Sequence, residues 1–162
     1  MSPERLRQSK LFLSTVFLGA AVCFLLPFLV LTVDLRRGEA TGVELATGDA
    51  QISGRYVHDS YRGQVEDALD LVQLPAAVAF VAILIGAVGV WIPGRRGFWL
   101  GLAAAGAGLL GGFWMRQALS GQQLLAESEW QYGYWLATVL ILGSAALAAF
   151  LLYRSSWTYL NR

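Results

Sequence analysis

The chain reads as an all-α polytopic membrane protein, a four-transmembrane-helix bundle with a partly helical outer loop between helices 1 and 2. Three observations predict this. First, four apolar stretches separate the charges, lying between Lys10 and Asp34, Asp70 and Arg95, Arg96 and Arg116, and Glu129 and Arg154. Each can hold the ~20 apolar residues that cross ~30 Å of hydrocarbon. Second, ten of the eleven acidic residues fall between Asp34 and Asp70 or at Glu127 and Glu129, leaving only Glu4 elsewhere. Third, all six tryptophans sit at the borders of these stretches, where an apolar ring with one polar group prefers the headgroup level.

The first helix is expected over 11–33, behind Arg5, Arg7 and Lys10. Its apolar run exceeds the ~7–15 residues of a signal-peptide h-region, and no small-x-small cleavage site follows. Val22 before Cys23 also fails as a lipoprotein site, so the segment reads as a retained membrane helix. Pro27 removes the donor that would bond the carbonyl of Cys23, which predicts a kink. The remaining helices are expected over 73–92, 97–115 and 132–153. Outer loops then cover 34–72 and 116–131, within one membrane domain of 162 residues.

Orientation follows from Lys and Arg near the span ends. Cytoplasmic termini place seven of the twelve cations inside (Arg5, Arg7, Lys10, Arg95, Arg96, Arg154, Arg162) and five outside (Arg36, Arg37, Arg55, Arg62, Arg116). Eleven arginines against one lysine, with abundant Ala and Gly, point to a GC-rich bacterial genome. The expected location is therefore the bacterial cytoplasmic (inner) membrane, with both termini cytoplasmic.

Small residues predict how the helices pack. Gly97, Gly101, Ala105, Gly108 and Gly112 recur at spacings of four and three on one face of helix 3, echoed by Ala79, Ala82, Gly86 and Gly89 in helix 2. In lipid, such residues let backbones approach, and close contact replaces the hydrophobic drive available in water.

In the first outer loop, Arg36 to Glu39 reads as a turn. Thr41-Gly42-Val43-Glu44 fits a capping box, Leu45 follows, and Gly48 is a natural helix stop. Gln51 to Val57 is weakly strand-like. From Tyr61, Val65, Ala68, Leu69 and Val72 mark one helical face, so helix 2 is expected to begin well outside the bilayer. Ser120-Gly-Gln-Gln-Leu124 echoes Thr41-Gly-Val-Glu-Leu45 in spacing, as a duplicated helix hairpin would.

Leu26-Pro-Phe-Leu-Val followed by Thr41-Gly-Val-Glu-Leu-Ala-Thr-Gly48 resembles small bacterial multispan membrane proteins that carry T-G-x-x-L-x-x-G in the first outer loop. That resemblance covers about the first fifty residues; it implies the topology and carries no assigned activity. The long first loop and short second connection are also similar in layout to claudin-like four-span proteins, without their paired loop cysteines.

Chemistry is sparse. One cysteine, Cys23, excludes an internal disulfide. The single His58 lies near Asp59, Glu66, Asp67 and Asp70, but zinc sites want several N or S ligands. Glu66 and Asp70 read as a solvated acidic helix face. The net charge of +1 offers no basic surface for nucleic acid. The spans hold only Ser14, Thr15, Thr32, Gln73, Thr138 and Ser144, lacking the ionisable relays of pumps. No catalytic residue, cofactor or metal is expected.

The expectation is a non-catalytic membrane subunit or scaffold, in contact with membrane lipid and with other membrane proteins or itself. Its outer-loop interaction residues are Thr41, Gly42, Glu44, Leu45 and Gly48. The alternative is a small oligomeric transporter, channel or lipid-handling protein.

Overall fold

In the computed structural model, residues 3–33, 36–50, 59–120 and 129–160 are described. They form α1 (Pro3–Cys23), β1 (Pro27–Val33), β2 (Arg36–Thr41), α2 (Gly42–Thr47), α3 (Asp59–Gly89), α4 (Arg96–Ser120), β3 (Glu129–Trp130) and α5 (Tyr132–Leu160). The protein is mostly helical, and three helices are long and apolar enough to cross a membrane: Leu69–Gly89, Arg96–Ser120 and Tyr132–Ser155.

The first apolar run departs from expectation. It is not one helix over 11–33: α1 stops at Cys23 and the chain becomes a strand at Pro27. The amides of Phe24, Leu25 and Leu26 tighten onto the carbonyls of Ala21, Val22 and Cys23, three residues back. Pro27 then disfavours a helical conformation at Leu26. The segment beyond it, Pro-Phe-Leu-Val-Leu-Thr-Val, is β-branched and aromatic and suits a pleated surface. The apolar part of α1, from Leu11 to Cys23, is therefore only about 20 Å long.

The fold is accordingly not all-α. A three-stranded antiparallel sheet has the order β2-β1-β3. The segment expected to turn at Arg36–Glu39 instead pairs along β1, Val33 facing Arg36 and Val30 facing Glu39. Between Pro27 and Leu29 the register shifts by a bulge at Phe28, whose carbonyl accepts from the Gln131 amide. β3 adds to the other edge of β1 through Leu29–Trp130 and Val30–Glu129. The largely apolar strand takes the centre, with Phe28, Leu29 and Val30 buried.

The four long helices form a ring in which α1 contacts α3 and α5, and α4 contacts the same two. α3 starts ten residues before its apolar span, at Asp59, close to the Tyr61 from which the sequence periodicity reads as helical. α4 runs to Ser120, past the expected 115. Ser120 therefore closes a helix, its hydroxyl donating to the Gln117 carbonyl at 2.9 Å; the remainder of its proposed capping box lies outside the described residues. One continuous core runs from Leu13, Phe17 and Val90 at one end to Phe28, Ala40 and Leu45 at the other. Outward-facing Val81, Val88, Leu110, Phe113, Val139 and Phe150 are exposed, which suits a lipid-facing surface.

Two polar contacts lock α1 to the α3–α4 turn. At the end of α3 the Trp91 amide bonds Val88 rather than Ala87, and the Ser14 hydroxyl donates to the Ala87 carbonyl at 2.8 Å. Lys10 Nζ donates to the Ile92 carbonyl at 2.6 Å and lies 5.8 Å from the Phe98 ring centre. A cation there also complements the negative end of the α3 dipole. Burial lowers the Lys10 pKa. Pro93 and Gly94, the latter at φ 73°, have the signature of a type II turn.

Several of the small residues let other parts of the same chain approach closely. A Cβ on Gly86 would lie 2.7 Å from the Phe17 ring, and one on Gly97 would lie 2.6 Å from the carbonyls of Val90 and Ile92. Gly89 leaves no room for a Cβ beside Leu100. Ala105 is fully buried, and a Gly101 Cβ would sit 3.2 Å from Val90. The tightest α3–α4 approach away from the turn is at Gly111, outside the expected stripe, where a Cβ would meet the Pro75 carbonyl at 2.8 Å and Ala79 at 2.9 Å. Pro75 cannot supply an amide to Leu71, and its ring packs inside α3.

Gly111→Leu is expected to cost at least about 1–3 kcal/mol of stability through overpacking. Gly106→Leu, with nothing within 4 Å of its Cβ position, should leave thermal unfolding in detergent unchanged. Equal effects would mean α3 and α4 are not in close contact. Lys10→Ala should lower stability by about 1.5–3 kcal/mol, the range for a hydrogen bond from a charged donor. Thermal unfolding checks this, with Lys10→Met as the variant that keeps most of the packing.

Candidate functional site

The outer-loop residues assemble at the sheet end of the bundle. Thr41 is the N-cap of α2, with φ −79° and ψ 160°. Its hydroxyl accepts from the Glu44 amide at 3.2 Å, while Glu44 Oε2 accepts from the Thr41 amide at 2.8 Å and from the Thr41 hydroxyl at 3.0 Å. The capping box is complete. Gly48 closes the helix in the left-handed conformation, φ 80°, its amide donating to the Glu44 carbonyl at 3.0 Å. It lies directly over the Gln73 amide group of α3.

Two further motif residues face inward. A Cβ on Gly42 would lie 2.8 Å from the Phe24 ring and 3.0 Å from Phe24 Cα. The next amide, Val43, donates to the Phe24 carbonyl at 2.9 Å. Leu45 is buried in the common core. Thus Gly42 and Leu45 anchor the cap and Gly48 stops it, so the motif shapes this end of the molecule. The surface it presents is made by its neighbours and by exposed Glu39, Glu44 and Thr47.

A half-open cleft of about 460 Å³ lies below the sheet, between α4 and α5. Its upper wall is aromatic: Phe24 and Phe28 have ring centres 4.6 Å apart, and Phe28 meets Tyr134 edge-on at 6.0 Å. α4 contributes Gly108 and Gly112 to the lining here. Cβ atoms on them would reach Ile141 at 3.5 Å and Tyr134 at 3.7 Å, ordinary contact distances. These two members of the stripe line a cleft more than a tight helix contact.

The hydroxyls in the cleft are already engaged. Tyr134 donates to the Gly112 carbonyl at 3.2 Å, and Thr138 donates to the Tyr134 carbonyl at 2.8 Å. At the mouth, the exposed Arg116 guanidinium lies 5.8 Å from the Trp135 ring centre. Among the described residues, those lining the cleft include Arg116 and Gln117 and no carboxylate.

His58 lies outside the described residues, as does the weakly strand-like segment at 51–57. Asp67 and Asp70 are exposed on α3. Cys23 is buried and free. Among the described residues, no three His, Cys, Asp or Glu side chains come together as metal ligands would. The chain matches no protein-family model, curated protein or solved structure.

Sequence reasoning missed the sheet and the cleft. The sheet had a signal, the β-branched and aromatic run directly after Pro27. The cleft had none, because it depends on which glycines oppose large side chains and which oppose space.

Removing the capping box with Thr41→Val and Glu44→Ala is expected to cost about 1 kcal/mol, a typical value for a lost cap. Amide hydrogen exchange should show the loss as faster exchange confined to residues 42–48, with α4 and α5 unaffected.

Proposed function

We propose that this chain is a non-catalytic integral subunit or scaffold of the bacterial cytoplasmic membrane. The sheet-and-cap end docks other membrane proteins or a second copy. The observation that supports it is the construction of that end. A central strand is flanked on both sides, and a short helix with both termini capped rests on α3. This much backbone order maintains a shape. One edge belongs to β2, a six-residue strand next to a single partner among the described residues. An edge strand is a ready template for a further chain.

In this reading the three apolar helices cross the membrane, and α1 makes the fourth crossing. The sheet completes its path near the outer surface. Both termini face the cytoplasm, on the strength of the seven-to-five distribution of cations. The cleft favours a second reading, a small oligomeric transporter, channel or lipid-handling protein.

A photo-crosslinking side chain at Glu39 or Val43 should give a defined adduct in native membranes, and one at Phe150 should give only lipid adducts. The Thr41→Val, Glu44→Ala variant should lose the protein adduct while remaining inserted. Reporters after Arg162 and within residues 48–58 should lie on opposite sides. Solute flux or conductance by the pure protein in liposomes, without a protein adduct at Glu39 or Val43, would replace the scaffold with the second reading.

A further inference from the structure

We infer that the cleft between α4 and α5 is a binding site for an anionic membrane phospholipid, with one acyl chain inside and the headgroup at Arg116. The inference rests on the membrane reading and is independent of docking at the sheet.

The shape of the cleft suits a chain entering from the bilayer. Its volume of about 460 Å³ falls within the roughly 300–1,000 Å³ of small-ligand sites. It opens beside Phe113 and Trp135, both exposed on helices that carry candidate membrane spans. Gly108 lies eight residues before Arg116 on α4, about 12 Å along the axis. One leaflet of a ~30 Å hydrocarbon core is ~15 Å thick, so the cleft runs most of that depth.

Polarity assigns the two ends. Inside, the Tyr134 and Thr138 hydroxyls are bound to backbone carbonyls, so the occupant is not called on to satisfy them. The rest of the inner lining is apolar, including Phe24, Leu109 and Ile141. Hydrocarbon therefore fills it without stranding a polar group. At the mouth Arg116 is cationic, Gln117 can donate, and among the described residues no lining carboxylate competes. A guanidinium suits phosphate oxygens in a two-pronged hydrogen bond. The Trp135 ring beside it holds the arginine at the depth where indoles collect, the headgroup level.

Reconstitution into nanodiscs of equal phosphatidylglycerol and phosphatidylcholine, followed by native mass spectrometry, reads the bound lipid directly. The wild-type chain should retain phosphatidylglycerol about fivefold over phosphatidylcholine, as one interfacial cation predicts. Arg116→Gln, an exposed change that leaves the core intact, should bring that ratio to about one. Gly108→Leu should lose retained lipid of both kinds relative to Gly106→Leu, with thermal unfolding confirming the fold. A wild-type ratio near one, or a ratio unchanged by Arg116→Gln, would overturn the proposal. These outcomes leave the docking reading untouched, since none involves β2 or α2.

Discussion

A backbone amide or carbonyl buried away from water must find a partner within the protein, since an unpaired group costs free energy comparable to a lost hydrogen bond. Pro27 makes that constraint acute. The helix tightens and ends before it, yet the residues that follow are as apolar as those before. β1 meets the constraint by being the central strand, with β2 on one side and β3 on the other. Three segments distant in sequence are thereby joined at one end: the close of α1, the start of the outer loop, and the approach to α5.

The same break explains two close approaches. A Cβ on Gly42 would press on Phe24, and one on Gly133 would lie 2.6 Å from the Pro27 carbonyl. The chain on either side of the proline is thus gripped by backbone from α2 and α5, each brought near because no side chain intervenes. Phe24, Phe28 and Tyr134 fill the space beneath, so the cap, the sheet and the cleft share their walls. A change in the break would be felt at all three.

At the opposite end the logic is electrostatic. The last turn of α3 tightens; its Ala87 carbonyl receives Ser14, and the Ile92 carbonyl just beyond it receives Lys10, both from α1. A buried lysine is costly unless its charge is well partnered; here it has a carbonyl, a helix C-terminus and an aromatic face. The first helix is consequently fastened at both ends, by Lys10 at the turn and by Phe24 under the cap.

The sequence by itself determined the apolar spans of α3, α4 and α5, the start of α3 well before its apolar span, and the capped helix from Thr41 to Gly48. All are local properties, set by runs of apolar residues, helical periodicity, and side chains that bond their own backbone within four residues. Only the tertiary structure decided that Pro27 ends α1 instead of bending it. That outcome depends on β2 and β3 arriving to pair the apolar strand, and Arg36–Glu39 reads as a turn until β1 lies beside it. It also decided which small residues are contacts. Gly111 faces the backbone of Pro75 and Ala79 closely, whereas Gly108 and Gly112 line the cleft at ordinary contact distance from Ile141 and Tyr134, and one-dimensional spacing cannot distinguish the two. Arg116 was legible as a cation at the end of an apolar span; its place at the mouth of that cleft was set by the packing of α4 against α5.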